Sequence, residues 1–179
     1  MSSGEDEEGN RALLPADSLL PVTLISLSPL ARFFAIIRDM HLQLITLRGK
    51  KLDQEVYQVT IPTENGPIAV YPSHESYVTM AVPGALAIRK HQNDSDDQLE
   101  YLAITGGVVK VASDVVRILV DEADRSEDIL EDESKAALAR AEEMRANAKD
   151  QVELEKAMEL IDRHAVRLKV AELRRKRRV

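Results

Sequence analysis

From Met40 to Val120 apolar residues recur at every second position in short runs, the period of a strand with one buried face. Leu42 and Leu44, then Leu47, mark a first strand. Tyr57, Val59 and Ile61 alternate within residues 55–61, and Pro62 with Asn65-Gly66 ends that run in a turn. Ile68 to Tyr71 is a short strand closed by Pro72, and Tyr77 to Val82 is one closed by Pro83-Gly84. Leu86 and Ile88 share a face between Ala85 and Lys90. The polar tract His91–Gln98 is a hairpin loop. Leu99, Tyr101 and Ala103 alternate after it, Gly106-Gly107 punctuates, and Val109 with Val111 resumes. Ser113-Asp114 turns the chain into Val115–Val120. Short strands with turn signals at this spacing predict an antiparallel sandwich or barrel. No linker is long enough for a helical crossover, which speaks against a doubly wound α/β fold.

Beyond Asp128 the period becomes that of a helix. Ala137, Ala141, Met144 and Ala148 fall at three- and four-residue steps, and so do Leu154, Ala157, Ile161, His164, Leu168 and Ala171. A break near Asn147-Ala148-Lys149-Asp150 separates two helices. The small residues allow an antiparallel hairpin to close but bury little area. Such an arm docks or detaches at modest cost. Residues 121–134 are acidic, which suits a helix N-terminus, and Asp128 with Glu131 forms a capping-box-like start.

Three segments follow: 1–39, a β-sandwich over 40–124, and a helical arm over 125–179. Residues 1–10 are polar and acidic, and Ala12–Ile37 is apolar but interrupted by Pro15, Pro21, Pro29 and Arg32. An acidic start and a broken apolar run fit neither a signal peptide nor a spanning helix. The expectation is a flexible extension, or a start set too early, with Met40 the alternative.

Charge changes the picture at one end only. The formal net charge of -7 opposes general nucleic-acid binding, yet the chain closes on the basic run Arg174-Arg175-Lys176-Arg177-Arg178. Three partners fit that run on chemistry alone. These are the helix C-terminus itself, an acidic protein surface, and an anionic lipid or nucleic acid. Candidate chemistry adds little. With no cysteine there is no thiolate nucleophile or Cys-based zinc site. His41, His74 and His91 lack metal-ligand spacing, and Gly106-Gly107 belongs to no phosphate-binding loop. No catalytic constellation is present, and His164 is expected to sit as a satisfied or edge-exposed histidine.

Four segments in order carry a resemblance. They are Ile61-Pro62-Thr63-Glu64-Asn65-Gly66-Pro67-Ile68, running on through Pro72-Ser73-His74 to Pro83-Gly84; Ala103–Val111; Ile118–Arg125; and Arg167-Leu168-Lys169-Val170-Ala171-Glu172. With Met40-His41-Leu42-Gln43-Leu44 ahead of them, they resemble the epsilon subunit of F-type ATP synthases, called delta in mitochondria. Tyr71 and Ser73 depart from the family's usual Leu and Gly around Pro72. The resemblance implies a sandwich of about ten strands followed by a helical hairpin. It implies a non-catalytic rotor subunit that binds the gamma subunit and the c-ring, peripheral to the cytoplasmic face of the bacterial plasma membrane. It implies an arm that inhibits ATP hydrolysis by meeting the alpha and beta subunits, with no nucleic-acid partner. Arg163, Arg167, Lys169, Arg174, Arg175, Lys176, Arg177 and Arg178 would then face acidic loops of beta. Many members carry an ATP-binding motif, and Glu153, Lys156, Ala157 and Arg163 match it in degenerate form. Lys lacks the planar donor fork of Arg, so the resemblance implies weak regulatory ATP binding at most and no resident cofactor. Without the resemblance, the alternative is a free-standing binding module whose basic tail contacts nucleic acid or anionic membrane.

Overall fold

Among the described residues, alternating side chains drive eight strands around an apolar core. The computed structural model describes residues 39–177. The expectations for residues 1–38 lie outside the described residues. The strands are β1 (Met40–Thr46), β2 (Gly49–Val56), β3 (Gln58–Thr63), β4 (Gly66–Val70), β5 (Tyr77–Arg89), β6 (Glu100–Ala112), β7 (Val115–Val120) and β8 (Ala123–Arg125). Their order is β2-β1-β7-β6-β5-β3-β4, with β8 added on β6. All pairs are antiparallel except β1 with β7. Leu42, Leu44, Val59, Ile61, Leu86, Ile88, Ile104, Val109 and Ile118 are fully buried and belong to a cluster drawn from every strand.

The expected ten strands become eight continuous ones because β5 and β6 are thirteen residues long. Each spans two segments that the sequence divides at Pro83-Gly84 and at Gly106-Gly107. The two halves of β6 take different neighbours: Leu102–Ile104 pairs with β8, and Gly107–Ala112 with β7. The sheet thereby folds over and encloses its core, and the glycines serve that fold rather than a chain turn. At Gly107 φ is +149°, and an added Cβ would lie 1.9 Å from the Leu119 carbonyl oxygen on β7.

Other boundaries move for visible reasons. β3 runs through Pro62, which pairs with Pro67, and the hairpin turns on Glu64-Asn65. Leu47 lies not in β1 but in the turn after it, 84% exposed. Only Leu52 and Val56 are buried in the otherwise polar β2, so its alternation is hidden by Lys50, Lys51, Asp53 and Glu55.

The helices are α1 (Glu131–Asn147) and α2 (Gln151–Arg177), separated by the expected break. α2 packs on β5 and β6, and α1 packs on α2. Ala141 and Ala157 are buried, as their stripes predict, but Met144 is exposed. The capping box expected of Asp128 and Glu131 is not formed. Leu130 is the N-cap residue and offers no side-chain acceptor, so Glu131, Asp132 and Glu133 complement the helix dipole instead. At α2 the cap is real: Asp150 Oδ1 accepts from the Glu153 amide at 2.8 Å.

Gly107→Ala should destabilise the protein by about 3 kcal/mol or more, from steric overlap plus backbone strain. Gly66→Ala has a φ of +107° but open space around its Cβ, and should cost only about 1–2 kcal/mol. Urea unfolding of both variants checks this; equal losses would show that the approach to β7 is not what fixes Gly107.

Candidate functional site

Two surfaces stand out, one on the sheet and one on the arm. The outer face of β1, β7, β6 and β5 carries an apolar row in register. Ile45 lies opposite Leu119, Leu119 opposite Val108, and Val108 opposite Met80. Val78, two residues from Met80 on the same face, lies opposite Lys110. Met80, Val78, Val108 and Leu119 are all exposed. One register step away, the face turns polar along Asp53, Gln43, Arg117 and Lys110. An apolar strip with a polar border on an otherwise solvated sheet marks an interaction surface. Period-two patterning missed it, but a signal exists. Val115-Val116 and Ile118-Leu119-Val120 are unbroken apolar runs where a one-sided strand would alternate.

Beside that row His41 lies between two carboxylates. Its Nδ1 is 2.6 Å from Glu55 Oε1 and its Nε2 2.6 Å from Asp53 Oδ1. These hydrogen bonds, Glu55's first, hold the imidazole pKa above its ordinary 6.5. Lys50 Nζ is 2.5 Å from the other Asp53 oxygen and draws the Asp53 pKa down.

The second surface is where α2 meets the sandwich. Its apolar part is small: Val170 and Ala171 pack with Ala103 and Ile129, flanked by Ala85, Tyr101 and Val166. Its polar part is strong. Arg163 pairs with Glu122. Arg167 directs Nε at 2.7 Å and Nη2 at 2.6 Å to one Asp124 oxygen. Arg174 donates to the Ser126 carbonyl at 2.7 Å. A cleft of 580 Å³ opens next to these contacts, lined by Leu47 and Arg48 on one side and by Glu159 and Asp162 on the other. Docking of α2 is therefore incomplete along its length.

The basic residues expected to form one partner-facing surface are divided between two uses. Arg163, Arg167 and Arg174 are engaged on the chain's own sandwich, and Lys176 pairs with Glu172. Lys169 and Arg175 are exposed. The Arg177 side chain and Arg178 lie outside the described residues. The degenerate nucleotide set is dispersed. Glu153 Oε2 accepts from the Lys149 amide at the start of α2. Lys156 is exposed, Ala157 is buried, and Arg163 is held by Glu122. His164 is half-buried, with its Nδ1 enclosed and unpaired. Burial first, then Arg167, Arg163 and Arg140, push its pKa down and favour the neutral imidazole.

Residues 39–126 match the family described as ATP synthase, Delta/Epsilon chain, beta-sandwich domain. The ATP synthase epsilon chain of Herpetosiphon aurantiacus is 33% identical over 138 residues, which are 77% of this chain and 98% of that one. The chain belongs to the ATP synthase epsilon chain family. The epsilon chain of Thioalkalivibrio sulfidiphilus is 30% identical over 74% of this chain and 92% of its own. A chain in the cryo-EM structure of the Euglena gracilis mitochondrial ATP synthase shares the fold with a TM-score of 0.63. It is 20% identical, with 95% of this chain and 90% of that chain covered. Membership makes the protein a non-catalytic subunit of the ATP synthase complex. No helix among the described residues is long and apolar enough to cross a membrane.

The raised His41 pKa carries a sign. Protonated His41 binds both carboxylates, so its stabilisation is complete below pH 6.5 and is lost as pH rises through the folded-state value. An NMR titration should give a midpoint above 6.5, and Glu55→Gln should lower it more than Asp53→Asn. A midpoint that neither substitution moves would rule out the carboxylate bridge.

Proposed function

We propose that the chain is the central-stalk rotor subunit of an F-type ATP synthase. The observation that carries this reading is the apolar row Ile45–Leu119–Val108–Met80 in a member of the epsilon chain family. A rotor subunit must stay fixed to its shaft through every turn, so it needs a continuous apolar contact with little desolvation cost. The row supplies that contact, and gamma is its occupant. Arg117 and Lys110 border the row and set the register of the docked partner. The polar hairpin ends of the sandwich meet the loops of the c-ring. Through these contacts the subunit helps couple proton translocation to ATP synthesis. It is held peripherally at the cytoplasmic face of the bacterial plasma membrane.

The arm acts as a brake on ATP hydrolysis. Its hairpin is closed by alanines, and its contact with the sandwich has little apolar area, so docked and extended states differ by only a few kcal/mol. Extended, its cationic side reaches acidic loops of the beta subunit. Family membership favours this reading over a free-standing module with a nucleic-acid or lipid partner.

Two variants separate these roles. Met80→Asp with Val108→Asp should cut co-purification with gamma by at least about tenfold, since each charge enters an apolar contact at a cost above about 1.4 kcal/mol. The fold should persist, because both side chains point away from the core. Removal of residues after Asp128 should leave co-purification intact and raise ATP hydrolysis by the assembled enzyme. Undiminished binding by the first variant, or unchanged hydrolysis with the second, would contradict the corresponding role.

A further inference from the structure

Two of the contacts between α2 and residues 122–126, Arg163 with Glu122 and Arg167 with Asp124, share a step. Glu122, Asp124 and Ser126 are alternate residues of an extended segment, which advances about 6.6–6.8 Å over two residues. Arg163 and Arg167 are one helical turn apart, about 6 Å along the axis. The two spacings agree, so helix and strand run in step and each guanidinium meets its own acceptor. Arg174 lies about two turns further along the same face and reaches the Ser126 carbonyl. Apart from this ladder, docking rests on Val170 and Ala171 against Ala103 and Ile129, flanked by Ala85, Tyr101 and Val166.

We propose that this arginine ladder is the latch of the arm, and that any partner capturing the arm must take the same guanidinium groups away from Glu122 and Asp124. The second half rests on the inhibitory role proposed above; the first does not. Arg167 commits two nitrogens to one Asp124 oxygen, and Arg163 commits one to Glu122, so a second carboxylate at either guanidinium would meet the repulsion of the one already bound there. The latch pairs are only partly exposed, with a quarter to a third of each side chain open to solvent. Removing either half leaves the other under-solvated in the docked state. Exposed Lys169 and Arg175 are available before release, and they draw an acidic partner towards the closed arm. Capture then proceeds by exchange of one set of carboxylates for another. The sandwich's Glu122 and Asp124 stand in for the partner surface until it arrives.

The chain has no native cysteine, so a spin-label pair at Glu64→Cys and Met158→Cys reports the docked distance in the full chain. The parent should give one narrow distance distribution. E122Q/D124N and R163Q/R167Q should each shift the ratio of docked to open by about fivefold towards open, the amount two partly exposed pairs allow. The charge-exchanged chain E122R/D124R/R163E/R167E should recover the narrow distribution, which a merely misfolded variant would not. Retention of the docked distance by both neutralised variants overturns the latch. In the assembled enzyme, unlabelled E122Q/D124N should lower ATP hydrolysis, because the arginines are set free. R163Q/R167Q should raise it, because they are gone. Equal changes in the same direction overturn the competition. An arm that opens while hydrolysis stays constant in both variants confirms the latch and contradicts the inhibitory role.

Discussion

One extended segment, residues 122–126, joins the two parts of the described protein. Its alternation gives it two addresses. Ala123 is buried in the sandwich core and pairs with Ile104 on β6, while Glu122 and Asp124 on either side hold α2. Its backbone is fixed to β6 as well: the Glu122 carbonyl accepts from the Thr105 amide, and the Ser126 amide donates to Tyr101. The acceptors that receive the arm are thus part of the sheet and cannot move with the helix. A rigid acceptor line against a rigid donor line makes docking all-or-none over the span of the ladder.

The energetic balance follows from side-chain size. The arm's apolar footprint is built from Ala, Val, one Ile and the partly buried Tyr101, so apolar burial contributes only a few kcal/mol. Partly exposed ion pairs add on the order of 1 kcal/mol and respond to competing charge. The outer sheet face has the opposite character. Its apolar row is continuous, charge-free along its length and set on hydrogen-bonded strands. Permanent attachment at the sheet and reversible attachment at the arm are therefore built from different interactions.

Much of this was legible in the sequence, for reasons that particular residues make plain. Leu42, Leu44, Val59 and Ile61 announce their strands because one face is wet and one dry. β2 was missed because its outward residues are charged and its buried ones few, and β8 because three residues show no period. Pro83 and the paired glycines read as chain breaks. A single sequence does not distinguish a turn from a place where strands cross closely. The helix seam was predictable from alanine spacing, yet Val170 was outside the predicted stripe. It faces the sheet rather than the other helix, and one helix with two buried sides has no single stripe. The division of the basic residues depended on tertiary contact: Arg163 and Arg167 acquire partners about forty residues away in sequence.

The central claim is that the ion pairs, added to a small apolar contact, decide whether the arm stays on the sandwich. Amide hydrogen exchange of the full chain at about 0.05 M and about 1 M salt tests it directly, because the screening length falls from over 10 Å to about 3 Å. Protection in α1 and α2 should fall with salt while the strands β3, β5 and β6 keep theirs. Helices as well protected at high salt as at low would show that packing alone holds the arm.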